Sequence, residues 1–498
     1  MPIQTMKISM KTYCRFQDLK PQNWSAVRLL RSCVAVCIGL TVVNCSANQV
    51  WAQVTYPFDL PSDINATLTV DTTQSRPVNT MLLGLNCNWP ENLYGKVGYN
   101  HPDARKLIVA MNPSSLRFPH GVWSNFYDWE SDGRRITDDY VTPYDSSVKN
   151  HPELKYGFEG FHNLHQRLGF DVVLTFNVNY DSPTKAVRRL EDRRNKGFDV
   201  KWVELGNEPF WKTQRSRAIE DVEKYIKVSK AHAAALKAAS PDLLVSIPVH
   251  WRTAETNPWN IAVKDHHYYD AITLHKHMGF ENAPDGAAQT LGAREHMVQT
   301  GKTLRKVFPG LPIWVTEWSV SCGNNALSVL AMADVYLGLF EHPELFAVAS
   351  YFQINASHKL IDYDSKTGVH TRTSYGAAYE IVRSVFEGSE ICASSLESTA
   401  MAEGLGAVSA VSVVKDGTVT LFAINKTPRR VPFDFVVDGV AGPRPSRHHA
   451  FNFDAIDELK TIALSDDVMH DVELDGRQAV LPPFSINCIE IQSNRESR

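Results

Sequence analysis

From about residue 80 to residue 388 the chain alternates short apolar runs with helix-length segments, and the apolar runs number eight. Short runs of this kind, bounded by glycine, proline or asparagine, are the pattern of strands buried on both faces. Strands of that type pair in parallel, and parallel neighbours need a long crossover, usually a helix. The candidate strands are Met81–Asn86, Ser115–Phe118, Asp171–Asn177, Val200–Leu205, Leu243–Ile247, Ala271–Leu274, Ile313–Thr316 and Ala347–Phe352. Helical spacing is clearest in Glu220–Ala239, Ala293–Val307, Ala326–Phe340 and Ser374–Phe386. Eight such units predict an α/β fold, a (β/α)8 TIM barrel over 80–388. A doubly wound sheet would carry a glycine-rich phosphate loop after its first strand, and Asn86-Cys87-Asn88-Trp89 cannot serve as one.

After Gly388 the rhythm changes. Ala407–Val414, Thr418–Ile424, Val431–Val437 and Ala479–Ile491 read as strands separated by turns such as Lys-Asp-Gly and Asn-Lys-Thr-Pro. Residues 389–498 are therefore expected to form a C-terminal β-sandwich, and the strand pattern at 64–73 is expected to join it. At the other end, Arg28 and Arg31 precede an apolar run, Cys33 to Val43, followed by Val50-Trp51-Ala52. Positive, apolar and small residues in that order read as an export signal within residues 1–52, and the run is short of the ~20 residues a membrane span needs. This predicts a secreted or periplasmic protein. Cys87, Cys322, Cys392 and Cys488 remain beyond that segment, widely scattered and without a Cys-x-x-Cys; free thiols with at most one disulfide are expected. A net charge of −4 offers no basic surface for nucleic acid, so the expected partner is an uncharged or weakly charged ligand.

In such barrels the chemistry sits where the strands end. Glu208 closes the fourth candidate strand in Lys201-Trp-Val-Glu-Leu-Gly-Asn-Glu-Pro-Phe210, and Glu317 closes the seventh in Leu311-Pro-Ile-Trp-Val-Thr-Glu-Trp-Ser319. Two carboxyl groups facing one cleft are the minimum equipment for cleaving a glycosidic bond: one protonates the leaving oxygen, the other attacks the sugar carbon or activates water. Glu208 is expected to be the acid/base, its pKa raised by burial and by the second carboxylate, and Glu317 the nucleophile, kept ionised by Arg117. Asn207 is placed to bond a sugar 2-hydroxyl. Taken singly, either glutamate string could be a solvated turn; together, at the fourth and seventh of eight strands, they are far more specific.

These residues resemble the clan A retaining glycoside hydrolases, whose acid/base follows the fourth strand in Asn-Glu and whose nucleophile follows the seventh. Within that clan the chain is most similar to the family 51 α-L-arabinofuranosidases. Leu116-Arg-Phe-Pro-His-Gly-Val-Trp-Ser-Asn-Phe-Tyr-Asp-Trp-Glu-Ser-Asp-Gly133 looks like their second-strand segment, and Leu205-Gly-Asn-Glu208 and Glu317-Trp318 fit as well. The resemblance covers most of 64–498 and implies a retaining glycosidase acting on plant or algal polysaccharide, with no cofactor. It departs at His120, Pro209-Phe-Trp211, Thr316, Ser319 and His275-Lys-His277, and β-xylosidases and β-glucuronidases of the same clan also carry Asn-Glu-Pro. The catalytic pair carries over and the sugar does not.

Asn86, Asn177, His275 and His277 also fall at strand ends and are expected to line the sugar pocket, although a polar residue there can simply cap backbone groups. Indole rings stack on sugar C–H faces, which makes Trp211, Trp251 and Trp318 expected substrate contacts and leaves Trp129 to the core. His266, His267, His275 and His277 raise a metal reading, but the nearest carboxylates are already assigned and no His-Glu-x-x-His occurs, so no metal is expected. Beside the arabinofuranosidase reading stand other clan A glycosidases (β-xylosidase, β-glucuronidase or agarase-like), a carbohydrate-binding protein on a disabled barrel and a metal-dependent hydrolase; no Gly-x-Ser-x-Gly supports a serine esterase.

Overall fold

In the computed structural model, residues 55–492 are described apart from 88–94, 136–154, 282, 324, 356–357 and 475–477. The export-signal region, Trp89 and most of the 127–155 loop lie outside the described residues. Eight parallel strands close a barrel in chain order: Gly84–Asn86, Ser115–Phe118, Asp171–Phe176, Trp202–Leu205, Leu244–Pro248, Ala271–Gly279, Ile313–Ser321 and Phe346–Tyr351, the last pairing with the first. The first strand is shorter than expected because Thr80–Leu83 winds into a 3-10 turn, whose cap Asn79 accepts a hydrogen bond from the Met81 amide at 3.1 Å. The sixth and seventh run past the others as a paired ribbon. Their register sets Glu317 beside His275 and Ser319 beside His277, and so fixes the floor of the cleft.

The barrel interior is filled in layers. Trp314 packs with Met81, Val173, Ala271 and Val348 at the start of the strands. Above them lies a buried polar layer in which Ser246 and Thr273 share a hydrogen bond of 2.7 Å and Thr175 donates to Glu204 at 2.8 Å. Outside the wall, the helix Ala326–Glu341 is buried from Ala326 to Phe340. A helix apolar on every side needs cover on every side, and this one lies between barrel strands and the strands Val408–Lys415, Thr418–Asn425 and Ser485–Gln492 of the second module.

That module is a β-sandwich built on a ten-stranded sheet. The early strand Ala66–Pro77 lies antiparallel to Glu390–Ser398 and parallel to Val431–Val437. Leu68 and Val70 from that strand, Val408 and Leu421 from the next pair, Phe433, and Ile489 share one core, so the sheet folds back on itself. The expected strand Ala479–Ile491 is two: Pro482 and Pro483 interrupt it, since proline cannot donate to a ladder. Ala479–Leu481 pairs with Val431–Val437, while Ser485–Gln492 pairs with Thr418–Asn425. Cys87, Cys322, Cys392 and Cys488 are all buried, and none is joined in a disulfide among the described residues. Among the described residues no helix is long and apolar enough to cross a membrane.

Candidate active site

The fourth strand ends at Leu205, and Gly206 then turns at φ +88°, where an added Cβ would meet the Val178 side chain at 2.8 Å. The turn leaves Glu208 itself in the left-handed region at φ +44°, a conformation that costs a residue with a Cβ of order 1–3 kcal/mol. Such strain persists only where the surroundings fix it. Here Gln214 Nε2 donates to Glu208 Oε2 at 2.6 Å. The other end of the same amide, Gln214 Oε1, accepts from Asn207 Nδ2 and from Asn125 Nδ2, each at 2.8 Å.

Glu317 stands in the seventh strand just past a register shift against the sixth, between Trp314 and Glu317. Irregularities of this kind re-aim side chains beside active sites. Glu317 points into the mouth and is 5% exposed. Arg117 Nη1 donates to its Oε1 at 2.5 Å, and His277 Nε2 lies 3.2 Å from its Oε2. His275 Nδ1 lies 3.3 Å from Glu208 Oε1 and 3.7 Å from Glu317 Oε2, so these two oxygens are at most about 7.0 Å apart, the sum of the two contacts. Both carboxyl groups thus face one cleft, no farther apart than the carboxyl pairs of glycosidases.

Charge is tightly matched. Arg117, fully enclosed, also donates from Nε to Glu204 at 2.5 Å and from Nη2 to Asn207 Oδ1 at 3.0 Å. Burial alone would push the Glu317 carboxyl up, but His275, Arg117 and His277 outweigh it and hold it well below the usual carboxylate range. Burial alone would pull the His275 imidazole down, yet Glu317 and Glu208 outweigh it and raise it. His120, nearby and enclosed, is driven by burial to about 3, against the pull of Glu317. It is therefore neutral at any ordinary pH.

Glu208, Glu317, Arg117, Asn207, His275 and His277 are brought together in this one cluster. The remaining expected residues divide. Trp318 is a correction: it is fully buried, edge-on to Tyr336 at 4.8 Å and Tyr351 at 5.1 Å in the layer outside the barrel. Successive side chains of a strand face opposite ways, so the neighbour of an inward Glu317 faces outward. Asn86 is also corrected: its amide donates to the Thr316 and Ser350 carbonyls at 2.7 and 3.1 Å and it has no exposed surface. Asn177, equally buried, donates to the Tyr127 carbonyl and accepts from the Asn179 amide, each at 3.1 Å. Both brace backbone rather than face the cleft. Trp211 is 42% exposed, edge-on to Phe210 and His250. Trp251 is half-buried with Lys276 Nζ 3.6 Å over its ring. His266 and His267 precede the sixth strand and so lie at the opposite rim from His275 and His277.

Gln214, Asn125 and Glu204 belong to the cluster and went unremarked in the sequence. Gln214 ends the short 3-10 turn Lys212–Gln214 with no motif around it, and Asn125, in the 3-10 turn Gly121–Phe126, lies within the Leu116–Gly133 segment but was not singled out there. Glu204 did carry a signal, an acid inside the apolar run Trp-Val-Glu-Leu, which demands a buried cation partner.

No protein-family model matches the chain, and no curated protein matches it in sequence. Solved structures do match. The GH51 arabinofuranosidase from Xanthomonas axonopodis pv. citri superposes with a TM-score of 0.69 at 16% identity, over 86% of this chain and 100% of that one. AbfB, a family 51 α-L-arabinofuranosidase from Bifidobacterium longum, gives 0.69 at 17% identity over 87% and 100%. A Paenibacillus polymyxa xyloglucanase from glycoside hydrolase family 44 gives 0.60 at 13% identity over 86% and 100%. The chain has the fold of the clan A glycoside hydrolases, a TIM barrel with a β-sandwich, of the GH51-like kind.

Proposed function

We propose that the protein is a secreted retaining glycoside hydrolase, most like an α-L-arabinofuranosidase, acting on plant or algal polysaccharide or its fragments. The observation that supports this reading is His275 Nδ1 within 4 Å of both Glu208 and Glu317, so that the two acids share one cleft. In the first step Glu208 gives its proton to the leaving glycosidic oxygen while Glu317 Oε2 attacks the anomeric carbon. The C–O bond breaks as the glycosyl ester forms. In the second step Glu208, now a carboxylate, takes a proton from water, and the hydroxide equivalent displaces Glu317. Arg117 and His277 hold Glu317 ionised and aimed, and Asn207, fixed by Arg117 and Gln214, sits beside the acid where a sugar 2-hydroxyl would lie. The arabinofuranosidase assignment rests on the likeness to family 51 structures and on the Leu116–Gly133 segment. Export rests on the Arg28 to Ala52 pattern.

Kinetics on aryl α-L-arabinofuranosides, β-xylosides, β-glucuronides and galactosides test it. Glu317→Ala is expected to lose turnover by about 10⁴-fold or more while retaining binding. Glu208→Ala is expected to keep activity on substrates with good leaving groups and to be rescued by azide, giving a glycosyl azide of retained configuration. Equal losses without rescue overturn the role assignment; a wild type that binds sugar and turns over none of the panel overturns the hydrolase.

A further inference from the structure

His101, Asp103 and His370 stand apart from the carboxylate cluster and have no part in the proposed reaction. A ring nitrogen of each histidine and a carboxylate oxygen of Asp103 lie within 4.8 Å of one another. The two imidazole rings are 4.4 Å apart, centre to centre. His101 is the cap of the helix Pro102–Met111 that follows the first barrel strand, and Asp103 is in that helix's first turn. His370 comes from the strand Val369–Thr373, in the hairpin after the eighth strand, where it pairs with Tyr363.

The tautomer of His370 is the decisive detail. Its Nε2 faces the Lys96 carbonyl oxygen, and a carbonyl can only accept, so Nε2 carries the proton. Nδ1 is then a bare lone pair. It is buried with no hydrogen-bond partner, on a side chain 9% exposed. An imidazole with one nitrogen donating to a carbonyl and the other buried and unpaired is the arrangement of a metal-ligating histidine held by an outer partner. The competing contacts are weak: the Asp103 amide reaches His101 Nδ1 only at 3.4 Å, and the Lys106 ammonium that holds Asp103 at 2.8 Å is on the solvent side.

We propose that His101, Asp103 and His370 form a zinc site that clasps the loop after the first barrel strand to the hairpin after the eighth, across the seam where the barrel closes. Two imidazoles and one carboxylate suit zinc, with water completing a tetrahedron, and suit neither calcium nor magnesium, which take oxygen ligands. The clasp is structural, and its test does not depend on turnover. The full chain, stripped with EDTA and dialysed, is titrated with zinc chloride by calorimetry and melted with and without it. One zinc per chain is expected, with a rise in Tm that calcium chloride does not reproduce. His370→Ala and His101→Ala are expected to weaken binding by more than about a hundredfold, beyond the loss of an outer partner alone. Asp103→Ala is expected to cost about tenfold. Asp103 is exposed, so that variant folds even if His370→Ala does not. No heat and no Tm shift at about 1 mM zinc overturns the site, as does stoichiometric binding unchanged by His101→Ala and Asp103→Ala.

Discussion

His275 is the side chain on which most of the site's charges act at once. Glu208, Glu317 and Arg117 all bear on its imidazole, and the two carboxylates prevail, so it holds its proton to higher pH than a free histidine. Glu317 moves the opposite way and is ionised well into acid. A group whose folded pKa is raised lends stability that is fully present below its unfolded pKa, about 6.5, and lost as pH climbs through the folded value. A depressed carboxylate lends stability that is present above about 4.5 and lost as pH falls through its folded value. The two overlap between roughly pH 4.5 and 6.5, where the pair is charged in both members. The melting temperature of wild type minus that of His275→Gln should therefore be largest near pH 5–6 and shrink steadily towards pH 9. A difference that is flat or grows above pH 7 would show that His275 is neutral in the folded protein.

At the scale of single elements, the seventh strand best separates what the sequence could tell from what it could not. The chemistry of Glu317 was legible because an acid ends an apolar run at the seventh of eight strands, and Arg117, His275 and His277 were legible because they fall at the ends of the second and sixth strand patterns. Trp318 was misread although strict alternation places it opposite Glu317; aromatic chemistry prevailed over geometry that was already in hand. Asn86 and Asn177 were misread for another reason. A strand end leaves backbone groups unsatisfied, and whether an asparagine serves these or a ligand depends on contacts remote in the chain, such as Asn86 to Thr316 and Asn177 to Tyr127. The register shift before Glu317 left no mark in the sequence at all. The two tryptophans then part company by experiment. Trp318→Ala should destabilise the protein by about 3–5 kcal/mol, the cost of emptying a large buried site. Trp211→Ala, half in solvent, should change stability by less than about 0.5 kcal/mol and act, where it acts, on KM. Chemical denaturation beside steady-state kinetics checks both; a destabilised Trp211→Ala or an unperturbed Trp318→Ala would reverse the assignment.

Across the whole molecule one face of the sandwich packs into the barrel's core, since Val411, Phe422, Ile424 and Ile486 belong to the same buried cluster as the barrel wall, while Leu68, Val70 and Phe433 lie in the sandwich's own. A buried ion pair lies at this contact. Lys426, just past the strand Thr418–Asn425, reaches Asp334 in the central helix at 3.1 Å, and both side chains are almost wholly enclosed. Lys426 also donates to Ser409 at 2.9 Å, while Arg294 meets the other oxygen of Asp334 at 3.4 Å. Burial would push the Asp334 carboxyl up, but Lys426 and Arg294 outweigh it and lower it. An ion pair in that setting gains little over a well-packed apolar pair, whereas removing one member strands the other charge away from water. Lys426→Met alone should therefore cost about 3–5 kcal/mol, softened only so far as Arg294 can turn towards Asp334. Lys426→Met with Asp334→Leu should recover most of that loss, because no uncompensated charge is left. Recovery in the double variant, measured by urea denaturation of the full chain, identifies the pair as one that adds little net stability where the sandwich meets the helix. A double variant as unstable as the single one would instead mean that Arg294 and Ser409 need Asp334 and Lys426 for their own satisfaction, and that the four side chains act as an indivisible network.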